Sequence, residues 1–140
     1  MVTTAVNQSQ PRLTAEQRRA KHAWNCVTQA KQVLGHDYDQ YANLAKSIPA
    51  LILNSGLMQV MAFLHEKGRD KKTGKPDPNK PHTMIGDHLR SALHDRFTEI
   101  PTGFEEAMGK LMEADPRKFQ AITTEAFAWL KWLRQMAAAR

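Results

Sequence analysis

The sequence predicts an all-α fold, a compact single-domain bundle of about six helices with a long basic loop, and three observations carry that expectation. Apolar residues recur at three- and four-residue spacing in segment after segment, helix start and stop signals flank those segments, and no stretch alternates convincingly as a strand. A chain of 140 residues suits one domain that buries roughly two thirds of its unfolded surface. With 41% hydrophobic and 24% charged residues the composition excludes a fully disordered chain, and a mean hydropathy of −0.56 excludes a membrane-embedded one. We expect a disordered leader over residues 1–13 and one domain over 14–140, within which 66–82 form a mobile basic loop.

Thr14-Ala15-Glu16-Gln17 reads as a capping box, in which the Thr14 hydroxyl and the Gln17 side chain satisfy orphan amides reciprocally. The helix it opens carries Ala20, Ala23, Trp24, Val27, Ala30 and Leu34 in one stripe, and Gly35 supplies the left-handed residue that ends it. A short second helix is expected over 37–45, with Tyr41, Leu44 and Ala45 inward. Ser47 and Pro49 then restart the chain, since proline suits a first helical turn and cannot continue an existing helix. Over 49–67 apolar residues cover nearly the whole circumference. That element is therefore expected to be central and buried, with a kink or break at Asn54-Ser55-Gly56. Residues 66–82 hold Gly68, Gly74, Pro76, Pro78 and Pro81 and no large apolar side chain, and read as surface loop. A helix follows near 84–98 along Ile85, Leu89, Leu93 and Phe97, and another runs from Thr102 or Gly103 to 114. Asp115-Pro116, an N-cap followed by a first-turn proline, launches the last, to about Met136.

The chain carries few residues in patterns that do chemistry. Cys26 is the single cysteine, so no internal disulfide is available, and its neighbours Ala23, Trp24 and Val27 mark a buried thiol suited to a reducing compartment. No segment has the apolar length of a signal peptide or a membrane span, so the expected location is cytoplasmic, with no membrane partner. No histidine pair has the spacing that aims two imidazoles from one helix at an ion, and zinc lacks a thiolate site, so neither metal nor cofactor is expected. The doublets His36-Asp37 and His94-Asp95 raise the alternative of a small HD-like metal-dependent hydrolase. That chemistry also needs an earlier histidine and a later aspartate; His65 would serve only by elimination, and Asp115 already reads as a cap. Glu105 and Glu106 are adjacent acids in a first helical turn, where they complement the dipole. Lys72-Thr73-Gly74-Lys75 lacks the first glycine and the strand of a phosphate-binding loop, and no catalytic residue is expected.

The charge is more informative. Twenty Lys and Arg against fourteen Asp and Glu give +6, which favours a polyanionic partner. The excess is segregated: residues 1–36 carry +4, 37–66 carry −2, 67–82 carry +4, 83–116 carry −4 and 117–140 carry +4. On the first helix Arg18, Lys21, Asn25, Gln29 and Gln32 share a face able to donate to phosphates. Arg18 and Arg19 lie near the positive end of the helix dipole, where they gain nothing in helix stability, so a role outside folding would explain them. The loop cations Lys67, Arg69, Lys71, Lys72, Lys75 and Lys80 have the composition of a phosphate-contacting arm. A merely solvated surface explains both sets equally simply. Trp24, Trp129 and Trp132 lie on or beside helix stripes, so contact with RNA is expected at backbone and shape, without base reading. A further alternative is a helical protein–protein adapter that docks through its last helix.

The stretch Ile48-Pro49-Ala50-Leu51-Ile52-Leu53-Asn54-Ser55-Gly56-Leu57-Met58-Gln59, followed by Phe63-Leu64 and Lys67, resembles the small all-helical subunit of the Cmr-type (type III-B) CRISPR RNA-guided effector complex. Ala23-Trp24-x-x-Val27 before it, and Thr123-Thr124-Glu125-Ala126 with Trp132-Leu133-Arg134 after it, extend the resemblance in the family's order and at its size. The resemblance implies a non-catalytic role in antiviral defence: copies stacked head to tail beside larger subunits, helping to hold CRISPR RNA and target RNA. Cutting and signal-nucleotide synthesis would belong to other subunits. Pro49, Asn54, Gly56, Leu57 and Phe63 look structural in that family. Phosphate contact is assigned by charge to Arg18, Arg19 and Lys21, then to Lys67, Arg69, Lys71 and Lys72, with Arg117 and Lys118 as outsiders. Head-to-tail stacking requires two different complementary faces, and the acidic 83–116 block of one copy against a basic block of the next would supply them.

Overall fold

The computed structural model describes residues 12–140; the leader expected over 1–13 lies outside the described residues apart from Arg12 and Leu13. Among these residues six α-helices follow in order: α1 (Ala15–Leu34), α2 (Tyr38–Ser55), α3 (Leu57–Lys67), α4 (Pro81–Arg96), α5 (Phe104–Glu113) and α6 (Pro116–Ala139), with a 3-10 turn Gly35–Asp37 between α1 and α2. Among the described residues no strand forms, and one isolated bridge joins Arg69 to Pro76.

The expected start and stop signals do their work locally. The Gln17 amide donates to the Thr14 hydroxyl at 3.0 Å and the Thr14 amide to the Gln17 side chain at 2.8 Å, which closes the capping box. α1 ends at Gly35, and the Lys118 amide donates to the Asp115 carboxylate at 2.9 Å to cap α6. Pro81, counted among the loop's breakers, instead occupies the first turn of α4, where its missing N–H has no role to lose.

Two expectations for the central stretch change. The chain does not restart at Pro49: α2 runs through it as one helix. The buried stripe Tyr38, Tyr41, Ala45, Ile48 and Ile52 alternates steps of three and four across the proline, so continuous burial outweighs one missing backbone hydrogen bond. Nor is the stretch buried all round. Leu53 is 77% exposed and Phe63 stands at the surface, because only one face of α2 and of α3 meets the other helices. The break comes at Gly56, whose φ of 86° and ψ of 159° no L-side chain adopts readily. Trp24, placed in the α1 stripe by spacing, is 39% exposed and lies under the Arg140 guanidinium, 4.7 Å from the ring centroid.

α1 and α6 form the most extensive helix pair, α2 also packs on α6, and α4 meets α1, α2, α3 and α6. Trp129 and Leu130 of α6, Tyr41 of α2 and Leu89 of α4 are all fully buried. The apolar face of the last helix therefore lies inside the bundle, so an adapter role through that helix would have only its polar outer face, with Lys131 and Arg134, to offer.

Candidate nucleic-acid interface

The two predicted groups of cations sit at opposite ends of α4. Arg18 donates through Nη2 to the Asp95 carboxylate and carbonyl, both at 3.1 Å, near the C-terminal end of that helix. The loop is tied to the other end, where the Thr83 hydroxyl donates to the Gly68 carbonyl at 2.8 Å. Twelve helical residues separate those anchors, about 18 Å at 1.5 Å per residue.

On α1, Arg19 has a folding role that its sequence position did not suggest. Its Nε and Nη2 each donate to a carboxylate oxygen of Glu125 at 2.8 Å, a bidentate pair spanning 106 residues. The Glu125 side chain is 6% exposed, and Arg96 of α4 approaches the same carboxylate at 3.4 Å. This carboxylate raises the pKa of Arg19 through their hydrogen bonds, so the guanidinium stays charged. Glu125 thus clamps α1 and α4 onto α6. One sequence signal pointed to it: Glu125 is the single acid in 117–140 and falls among Ile122, Ala126 and Trp129, where a buried carboxylate requires a cation. Arg18 pairs at the surface with both partners about two fifths exposed, which contributes little stability, while Lys21 is exposed and, among the described residues, has no acid within 4 Å.

The loop has an internal frame. The Asp70 amide donates to the Lys75 carbonyl, the Gly74 amide to the Asp70 carbonyl and the Asp77 amide to the Gly68 carbonyl, each at 2.8 Å. Its two acids serve that frame: Asp70 accepts from the Lys72 amide at 2.7 Å and Asp77 from the Asn79 amide at 2.9 Å. Arg69 and Lys80 also turn partly inward, Arg69 Nε onto the Gly74 carbonyl at 2.9 Å and Lys80 Nζ onto the Arg69 carbonyl at 3.0 Å. Lys67, Lys71, Lys72 and Lys75 are exposed, and among the described residues none pairs with an acid. Gly68 is demanded by close approach, because a Cβ there would meet the Thr83 backbone nitrogen at 2.8 Å and its hydroxyl at 2.1 Å.

Of the outlying cations, Lys118 pairs with Glu99 and lies 5.1 Å from the Phe97 ring centroid, whereas Arg117 is exposed. In the acidic 83–116 block Asp87, Asp95 and Glu99 are paired within the chain, while Glu105, Glu106 and Glu113 are exposed and, among the described residues, have no cation within 4 Å.

The histidines other than His36, which stands exposed beside Asp37, are engaged in packing. The Trp129 indole donates to His22 Nδ1 at 2.9 Å, which leaves the proton on Nε2, 3.0 Å from the Ser91 hydroxyl. The Tyr41 hydroxyl meets His88 Nδ1 at 2.7 Å, and His88 Nε2 meets Gln29 at 2.8 Å. Burial pushes the His88 pKa down to about 4 and the Cys26 thiol up to about 12. The His94-Asp95 doublet diverges: His94 Nδ1 faces the Ile100 carbonyl at 2.7 Å, while Asp95 faces Arg18. Among the described residues no three His, Cys, Asp or Glu side chains group so as to hold a metal ion, and no helix is long and apolar enough to cross a membrane.

Residues 15–140 match the family described as CRISPR-associated protein (Cas_Cmr5). The CRISPR system Cmr subunit Cmr5 of Thermus thermophilus is 25% identical over 126 residues, which cover 90% of this chain and 95% of that protein. The crystal structure of a CRISPR-associated Cmr5 family protein from Thermus thermophilus shares the fold, with a TM-score of 0.69 at 24% identity over 91% of this chain and 97% of the other.

Proposed function

Because the chain belongs to the Cmr5 family of CRISPR-associated proteins, we propose that it serves as a non-catalytic structural subunit of a Cmr-type effector complex, in the cytoplasm, and contacts guide and target RNA through backbone phosphates. The observation that carries the RNA reading is the loop and its base, where Lys67 at the end of α3 stands free beside Lys71, Lys72 and Lys75 on a hydrogen-bonded frame whose acids are turned to backbone amides. Four unpaired cations on one short segment raise local phosphate affinity without reading bases. Lys21 and the exposed half of Arg18 form a second, weaker contact at the far end of α4. Arg69 contributes from the loop's inner side, and Arg19 acts through the fold that presents its neighbours. Copies of the chain stack head to tail through the unpaired acids Glu105 and Glu106 of α5 against a basic surface of the next copy.

The test is retention of RNA by the assembled complex as salt is raised. Lys71→Ala with Lys72→Ala should weaken retention and flatten the dependence of log K on log salt by roughly 0.7 per lost contact on a single strand. An unchanged slope rejects the loop as an RNA surface. Glu105→Gln with Glu106→Gln should reduce incorporation of successive copies at low salt, and incorporation that is unchanged at every salt concentration rejects the stacking face.

A further inference from the structure

Between the base of the loop and α5 lies a pocket of about 140 Å³ lined by His65, Pro76, Thr83, Gly86, Asp87, Arg90 and Phe104. Its unusual component is an arginine that is buried as a residue but keeps one N–H group open to the pocket. Arg90 is 6% exposed; its Nε donates to the Thr102 carbonyl at 2.7 Å, and its Nη2 pairs with Asp87. Nη1 has no hydrogen-bond partner among the described residues and stands at the Gly86 wall, 3.5 Å from where a Cβ on Gly86 would sit. A guanidinium carries five donors and keeps its charge when buried, so an unfilled N–H beside a cavity offers an oxyanion a charge-assisted hydrogen bond.

The surroundings favour an anion and regulate its entry. His65 stacks on Phe104 with ring centroids 3.8 Å apart and planes 5° from parallel, which makes a flat, rigid wall. Burial first, then the charges of Arg90 and Arg69, lower the pKa of His65, while Asp87 and Glu105 act in the opposite sense; the ring is neutral at pH 7. Asp87, whose side chain is 59% exposed, holds Arg90 in the free protein and must yield part of that guanidinium to any incoming anion.

We propose that this pocket seats one phosphate group of the RNA strand, with Arg90 as buried anchor and Asp87 as the internal competitor that the phosphate displaces. The proposal rests on the RNA reading above and adds a contact hidden behind the loop to those on its surface. Lys75 directly precedes Pro76 of the pocket lining, and the charge of Arg69 reaches His65, so a strand bound along the loop passes the pocket mouth. A strand presents phosphates at regular spacing and can reach loop and pocket together, which a single carboxylate does not.

The experiment reads pocket and loop separately. Imidazole resonances of the isolated chain are titrated with pH in the presence of inorganic phosphate, at fixed ionic strength. The pKa of His65 should rise, because the bound anion offsets Arg90 and Arg69, and the rise should vanish in Gly86→Ala and in Arg90→Lys. Gly86→Ala adds one methyl group at the Nη1 wall, changes no charge and favours the helix, so it remains informative if Arg90→Lys folds poorly. RNA retention by the assembled complex should fall about tenfold with Arg90→Lys, fall less with Gly86→Ala and rise with Asp87→Asn. An unmoved His65 with unchanged retention in Gly86→Ala overturns the pocket, and the loop variants then judge the RNA reading alone. A responsive His65 beside RNA retention that is normal in the loop variants and in Gly86→Ala alike overturns the RNA reading, and the assignment of the phosphate to RNA with it. A larger response to acetate than to phosphate overturns the choice of phosphate in favour of a protein carboxylate.

Discussion

Arg19→Ala separates folding from RNA contact at the end of α1. The substitution removes two 2.8 Å charge-assisted hydrogen bonds from a carboxylate that is 6% exposed and leaves Arg96, at 3.4 Å, as its one remaining cation. Breaking a buried pair by deleting one partner costs about 3–5 kcal/mol, and the surviving Arg96 puts this case at the lower end, about 3 kcal/mol. For a domain of this size that loss lowers Tm by roughly 10 °C. Urea unfolding followed by circular dichroism measures the free energy, and a thermal scan measures the shift. Replacing both partners, Arg19→Met with Glu125→Leu, leaves no uncompensated charge and should recover most of the loss. Arg18→Ala with Lys21→Ala removes only exposed groups and should change stability by less than about 1 kcal/mol. A loss below about 1 kcal/mol for Arg19→Ala, or a double replacement as damaging as the single one, would refute the clamp.

Two further predictions concern protons and packing. The pKa of His88, near 4 in the folded chain against an ordinary 6.5, means that the unfolded chain binds the extra proton first. Stability is therefore complete above about pH 6.5 and declines by up to about 3 kcal/mol as pH falls towards 4, with burial of His22 acting in the same direction against an opposing Asp95. Urea midpoints between pH 7 and 4 should fall less steeply in His88→Gln, and equal slopes reject the assignment. Gly68→Ala forces a methyl group against Thr83 and should unseat the loop without changing its charge. RNA retention should then fall while helicity persists; unchanged retention means that the lysines act without their frame.

Much of the fold was legible because helix boundaries are coded within three or four residues. The Thr14 capping box, the Gly56 break and the Asp115-Pro116 start each depend on neighbours along the chain, and each stands where the spacing put it. Pro49 misled because its local preference is for a first turn, whereas the stripe from Tyr38 to Ile52 that carries the helix through it draws its energy from helices distant in sequence. The candidate interface was legible as charge and illegible as availability. Arg18, Arg19 and Lys21 look alike in a list of cations, yet they are half-paired, clamped and free in turn. Arg90 is indistinguishable in sequence from the other cations, since nothing near it along the chain shows that its guanidinium is buried beside a cavity.

The sequence by itself determined the helical class, the order of the helices, the segregation of basic blocks and the family resemblance, all of which depend on residue identity and short-range spacing. Tertiary structure alone decided which charges face solvent, because an ion pair such as Arg19 with Glu125 forms only after packing brings residues 106 apart into contact. Burial then makes that pair a matter of stability and leaves phosphate contact to the cations without an internal partner.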